Sequence, residues 1–299
     1  MKNNRVQAIV IGVLLGVGMM RSPVTATGQW LDALPLQVRN CILWYADHEA
    51  GTLDEWRAGG GAGAGGGIFN TGQSEVEAGV SHSVAHSGQY SARVTITNAY
   101  RARNGSRAVR LMRWADQHGR HFPSKAYYSV WAYWPRAYNP NKYPPWDLGD
   151  GGWWNVFQFK VKDRQGVSQP MWVLNVRRDE FKNEMVFYLY SKYNPSASLA
   201  WSDPVAIPVG KWVHIEAAYQ ISTQHKGRIA IWQDAQLLFD IRGVRTALWS
   251  GHAYAIWGVG NYTDHISGDM KGGTATIFFD DAAVSTMRLL SQSSRRECQ

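Results

Sequence analysis

Residues 211–240, KWVHIEAAYQISTQHKGRIAIWQDAQLLFD, limit what this chain can fold into more than any other stretch. From Trp212 onward apolar side chains alternate with polar ones, a polar turn follows at Thr223–Gly227, and a second alternating run begins. A period of two buries one side of a strand, and two such runs joined by a short polar turn form an antiparallel hairpin. A lone hairpin is marginal in water, so its apolar face and free edges call for more strands and a second layer. The chain supplies them. Strands are predicted at Ile42–Ala46, Ser91–Thr97, Arg107–Trp114, Tyr127–Trp134, Asn155–Lys160, Met171–Val176, Met185–Tyr190, Trp212–Tyr219, Ile229–Gln233, Leu237–Ile241 and Thr274–Phe279. Beyond an N-terminal apolar run, no window of a dozen residues keeps a helical period. The chain therefore reads as all-β, a sandwich of two antiparallel sheets.

At the N-terminus, Lys2 and Arg5 precede an apolar run from Val6 to Met20, and Val24-Thr25-Ala26 offers small residues where a signal peptidase cuts. Residues 1–26 are expected to be a secretory signal peptide, since about 15 apolar residues fall short of the roughly 20 that span a bilayer. Residues 27–299 then form one domain without a membrane span, exported to the periplasm or the cell exterior. Cleavage would remove three of the 31 basic residues (Lys2, Arg5, Arg21) and none of the 23 acidic ones, lowering the formal charge of +8 by that amount. The remaining excess favours an anionic partner. Without any nucleic-acid motif, an acidic polysaccharide fits better than nucleic acid.

The chain carries 15 Trp and 14 Tyr. Most must fill a core, but such rings also stack on the apolar faces of sugars while their N–H and O–H groups bond hydroxyls. Gly59–Gly67, GGGAGAGGG, reads as a flexible surface loop, and Pro135–Trp154, rich in aromatics, Pro and Gly, reads either as a groove-rim binding loop or as a cap over the core. Ser291–Gln299 reads as a mobile tail.

Several strands carry faces unsuited to a core. Alternation along Trp153–Lys160 puts Trp154, Gln158 and Lys160 on one side and Asn155, Phe157 and Phe159 on the other. Asn175 and Arg177 share a face, as do Tyr188 and Tyr190, and Arg107 and Arg110 flank an apolar pair on an earlier strand. Gathered in one sheet, these groups would bind a carboxylated or sulfated chain, arginine by bidentate contact. His214 and Glu216 also share a face and are expected to be solvated. Glycosidase carboxylate patterns such as Glu-x-Asp-x-x-Glu, nucleotide loops and Gly-x-Ser-x-Gly elbows are absent.

Five features together resemble the concanavalin A-like jelly-roll polysaccharide lyases of the heparin lyase I and glucuronan lyase type. They are Asp47-His48-Glu49-Ala50-Gly51, Ser87-Gly88-Gln89-Tyr90-Ser91, Phe157-Gln158-Phe159-Lys160, the Trp212 hairpin and Phe279-Asp280-Asp281. The resemblance implies a jelly-roll fold and β-elimination on a uronic-acid-containing glycan. A non-catalytic, lectin-like protein of the same fold is the alternative. β-Elimination needs a group that neutralises the uronate carboxylate, a base for the C5 proton and an acid for the leaving oxygen. The resemblance places Gln158 against the carboxylate, with Arg107 or Arg177 beside it. His118 or His121 is a candidate base, and Tyr262 a candidate base or acid. The family's Lys-x-Gly-x-Tyr pattern is incomplete here, because Gly258 stands in the lysine position. The resemblance also implies a structural Ca²⁺ bound by Glu49 and Asp280 with a backbone oxygen of Gly88, against the reading of these acids as solvated edge charges or turn caps. In jelly rolls the first and last strands are neighbours, so Cys41 and Cys298 either close a disulfide or remain two thiols.

Overall fold

The computed structural model describes residues 29–57, 65–72, 75–97, 107–136, 154–179, 184–194, 205–263, 274–290 and 298. Residues 1–26, where a signal peptide is expected, most of the Gly-rich run, residues 137–153 and most of the C-terminal tail lie outside them. Among the described residues fourteen strands run in chain order: β1 Ile42–Ala46, β2 Gly66–Thr71, β3 Val76–Ser81, β4 Ser91–Ile96, β5 Arg107–Arg113, β6 Lys125–Tyr133 and β7 Trp154–Lys162. They continue with β8 Ser168–Arg178, β9 Met185–Tyr190, β10 Trp212–Gln220, β11 Gly227–Gln233, β12 Gln236–Val244, β13 Ile256–Thr263 and β14 Ala275–Ser285. Three helical turns, α1 Gln29–Ala33, α2 Leu36–Arg39 and α3 Asp54–Arg57, and a 3₁₀ turn at Ser250–His252 accompany the strands among the described residues.

The strands form two antiparallel sheets, the all-β jelly-roll sandwich that the alternation demands. The larger runs β12-β11-β10-β6-β14-β4-β3, with β1 beside the second half of β14, and the smaller runs β2-β5-β13-β7-β8-β9. Trp44, Trp56, Tyr128, Phe157, Phe159, Tyr219, Trp257 and Phe279 fill the space between them. Phe159 of the smaller sheet stacks on Tyr219 of the larger at 4.0 Å, and Tyr128 packs against Trp257 at 5.5 Å. Much of the aromatic content is thus core, as burial of so much ring surface requires.

Three strands escape the alternation argument, and each contains glycine. β2 begins at Gly66, where a Cβ would lie 2.1 Å from the carbonyl oxygen of Trp56. The end of the Gly-rich run is therefore a strand edge against α3 rather than a loop. β3 holds Gly79, and β13 holds Gly258 and Gly260, the latter with room for no Cβ because one placed there would lie 2.2 Å from the Val109 carbonyl oxygen.

The outer face of the larger sheet differs from expectation at His214 and Glu216, which are buried. The chain ends cover them. Glu216 accepts hydrogen bonds from Arg288 Nε at 2.9 Å and the Leu289 amide at 2.6 Å, and His214 lies under Trp131 and Trp30. Leu34 and Val38 pack there with Ala283 and Leu289. Cys41, next to β1, is disulfide-bonded to Cys298 with 5.3 Å between Cα atoms. Among the described residues no helix is long and apolar enough to cross a membrane.

Candidate active-site face

The outer face of the smaller sheet carries the polar residues singled out in the sequence. Directly opposed residues in antiparallel strands project to the same side, so registers define rows across the sheet. One row runs Tyr188, Asn175, Asn155, Tyr262, Ala108 and Thr71 through β9, β8, β7, β13, β5 and β2. A second runs Tyr190, Val173, Gln158, Gly258, Met112 and Gly67. Between them Arg110 faces Gly260, and its guanidinium lies over the Tyr262 ring at 4.9 Å. Arg177, two residues beyond Asn175, projects to this same side.

Alternation fails at one point on β7. A bulge between Asn155 and Phe157 sets two β7 residues against one of β8, so the side chains before it swap faces. Trp154, expected beside Gln158, is instead buried in the core. Asn155, expected with Phe157, takes the outer position between Asn175 and Tyr262. Asn155 is 3% exposed, and its Nδ2 has no hydrogen-bond acceptor among the described residues. A buried amide donor without an acceptor costs about 1–3 kcal/mol unless something fills its place.

Gln158 shares the face with Tyr262 but is covered, its Nε2 directed at Met112 Sδ 3.8 Å away. Met112 also accounts for Gly258: a Cβ there would fall 2.2 Å from its sulfur, so the methionine lies where a side chain at 258 would stand. Arg107, three residues from Arg110, faces the other way and pairs with Glu75. Lys160 and Tyr190 are on the outer face, Tyr190 being 40% exposed. Burial, with the Arg110 charge adding to it, holds the Lys160 ammonium down at about 8.

His118 and His121 are not near Tyr262. They sit on the hairpin turn after β5, where the His121 ring stacks on Tyr254 at 3.9 Å and its Nδ1 lies 3.2 Å from the Trp114 carbonyl. Tyr262 opposes Ala108, six residues back along the strand from Trp114, or about 20 Å at 3.4 Å per residue. One base and one acid acting on the same sugar cannot be drawn from both places.

The expected calcium ligands lie at the opposite sheet. Asp280 Oδ2 accepts the amides of His86 at 2.8 Å and Ser87 at 3.4 Å, and Oδ1 accepts the Asp281 amide at 2.9 Å. His48 Nδ1 lies 3.4 Å from Oδ1 of Asp280, and Trp56 Nε1–H donates to His48 Nε2 at 3.0 Å. An indole N–H only donates, so Nδ1 carries the His48 proton and donates to Asp280. Asp281 accepts from the Tyr45 hydroxyl and from Ser87 Oγ–H at 3.0 Å, and meets His86 Nδ1 at 2.6 Å. Glu49 caps the amides of Gln89 and Tyr90, each at 2.9 Å, over Gly88, whose positive φ of 62° and closeness to the Glu49 carboxyl suit glycine alone. Calcium needs six to eight oxygens turned towards it. These oxygens are turned towards N–H and O–H donors, so the residues do not fit the ion. Among the described residues, no group of three or more His, Cys, Asp or Glu could hold a metal.

Comparison with solved structures aligns the fold with an endo-β-1,4-glucuronan lyase from the fungus Trichoderma reesei, at 15% identity and a TM-score of 0.57 over 82% of this chain and 96% of that one. It also aligns with the marine PL-14 alginate lyase from Aplysia kurodai, at 10% identity and a TM-score of 0.51 over 81% and 98%. Identities this low speak for the fold alone. Comparison with curated protein sequences returns no match. The family model described as polysaccharide lyase matches residues 48–283, a span that holds the whole smaller sheet, the larger sheet apart from β1 and the end of β14, and every outer-face residue named above, and the chain belongs to that polysaccharide lyase family.

Proposed function

We propose that the chain is an exported lyase that cleaves a uronic-acid-containing glycan by β-elimination on the outer face of the smaller sheet. The observation that carries this reading is the buried, acceptorless Nδ2 of Asn155, set between Asn175 and Tyr262. A uronate carboxylate placed there accepts from the two amides, with Arg177 on the same side. Drawing charge from the carboxylate acidifies the C5 proton. Tyr262 then serves both halves of the elimination: its phenolate takes the C5 proton, the C4–C5 double bond forms, the C4–O bond breaks, and the phenol returns the proton to the leaving oxygen. The Arg110 guanidinium lies over the ring, 4.9 Å from its centroid. Neither His118 nor His121 takes part in this scheme. Export is supported by the N-terminal apolar run and by the Cys41–Cys298 disulfide, a bond that persists in oxidising compartments.

The test is ultraviolet absorbance of the unsaturated uronate product during incubation of the processed chain with glucuronan, alginate, heparin and chondroitin. Product that Tyr262→Phe reduces at least about a hundredfold supports the lyase. The lectin-like reading has one observation of its own: Met112 occupies the room in which the family lysine would stand at Gly258. Glycan binding without product would favour it.

A further inference from the structure

Two terminal segments fold back onto the outer face of the larger sheet, and both lie outside the residues 48–283 that the family model matches. The N-terminal arm is α1 and α2, whose Leu34 and Val38 pack with Ala283 and Leu289. The C-terminal arm leaves β14 after Ser285 and reaches β10 and β11. Its Arg288 Nε and its Leu289 amide supply the hydrogen bonds that Glu216 accepts among the described residues, at 2.9 and 2.6 Å, and the Arg288 guanidinium lies 4.1 Å from the centre of the Trp232 ring. Glu216 is fully buried. Both its donors come from this arm, so without the arm its carboxylate must reach solvent or take up a proton.

Neither arm holds itself together. α1 and α2 have five and four residues, far below the dozen or so at which a helix persists alone in water. Beyond Ser285 the described C-terminal residues form no helix or strand, and Thr286 is tied back through its amide to the Cys41 carbonyl at 2.9 Å. Docking keeps both arms in place, and the Cys41–Cys298 disulfide joins them. The two cysteines are 257 residues apart in sequence, but Ile42 sits opposite Ser285 in the β1–β14 ladder. With the sandwich formed, the ring that the disulfide closes therefore runs through only about a dozen residues after Ser285, and its loss frees the arms.

We propose that the two arms form a redox-sensitive clasp: with the disulfide closed they stay docked over Glu216, and with both thiols reduced they undock while the sandwich remains folded. Closing the clasp removes two electrons and two protons from the Cys41 and Cys298 thiols. A small-molecule disulfide receives them and becomes two thiols. The clasp ties the last step of folding to arrival in an oxidising compartment, where such a bond forms and persists. It lies on the sheet opposite Asn155 and Tyr262, so the inference stands apart from the lyase reading.

Hydrogen exchange followed by mass spectrometry tests this on the processed chain, oxidised and reduced, and on Cys298→Ser, which cannot close. The Val38, Asn40, Thr286 and Leu289 amides report on the arms, and the β10–β11 ladder reports on the sandwich. Reduction and Cys298→Ser are each expected to speed exchange in the arms about a hundredfold and to leave the β10–β11 amides protected. Glu216→Gln keeps the disulfide and weakens the docking, so it should speed arm exchange in the oxidised chain and change nothing further in the reduced one. Arms equally protected in the oxidised, reduced and Cys298→Ser chains would overturn the proposal, because docking would then not need the bond. Loss of β10–β11 protection together with the arms would overturn it as well, since the disulfide would then hold the whole sandwich.

Discussion

Two polar clusters, one on each sheet, are satisfied to different degrees. At the bulge of β14, Asp280 and Asp281 lie buried among His48, His86, Tyr45 and Ser87, and each carboxylate oxygen meets a donor. On the outer face of the smaller sheet, Asn155 Nδ2 has no acceptor, and the charges of Lys160 and Lys162 are unanswered among the described residues. Both sets are polar and partly or wholly withdrawn from water, so burial does not tell them apart. Satisfaction does. A closed network holds a structure together, whereas donors and cations left open are suited to receive an anionic ligand.

Substitutions can break this contrast if it is wrong. The largest effect belongs to Asn155→Ala and Tyr262→Phe, each expected to lower the rate of product formation by about 10²–10⁴ while shifting the melting temperature little. Asp280→Ala should do the reverse. Removing that acceptor strands the His86 and Asp281 amides and the His48 N–H, at a cost of roughly 3–5 kcal/mol. Denaturant unfolding measures the loss, and a chelator should leave the unfolding curve of the unaltered protein where it is. A calcium-dependent shift would show that the closed network is a metal site after all.

His214 sharpens the comparison from the same sheet. Burial, helped by the charges of His86 and Arg288, depresses its ring from 6.5 to about 3. Between those values the unfolded chain binds a proton that the folded chain does not. Stability therefore falls as pH is lowered from about 6.5 towards 3, by roughly 3–5 kcal/mol in total, and His214→Leu should flatten that part of the curve. The smallest effect is at Lys160. With its ammonium titrating at about 8 in the free protein, affinity for anionic glycan fragments should weaken severalfold as pH rises through that value, and Lys160→Arg should remove the dependence.

The fold was legible wherever side chains alternate without interruption. The ranges expected for β1 and β9 coincide with the strands found, and the Trp212 hairpin pairs as read. β2, β3 and β13 were not, because glycines erase the alternation; in β2 and β13 they stand where backbones approach too closely for a Cβ. Tyr262 could be named from its motif even though its strand could not. Asn155 was hidden for another reason. A bulge inserts one residue and leaves no signature in composition, yet it moves Trp154 into the core and Asn155 out to the face. His214 and Glu216 looked like solvent-facing residues because what covers them, Trp30 and the Arg288–Leu289 segment, lies distant in sequence. Short-range pattern reports faces faithfully only while the ladder stays regular and no remote segment docks on it.

The most direct test is the initial rate of unsaturated uronate formation by the unaltered chain, Asn155→Ala and Gln158→Ala on a uronan polymer. Measurable activity that Asn155→Ala lowers at least about a hundredfold, and more than Gln158→Ala does, is the expected result. A rate that survives Asn155→Ala undiminished, or no product from the unaltered chain on any uronan, would contradict the assignment of this face as the seat of the chemistry.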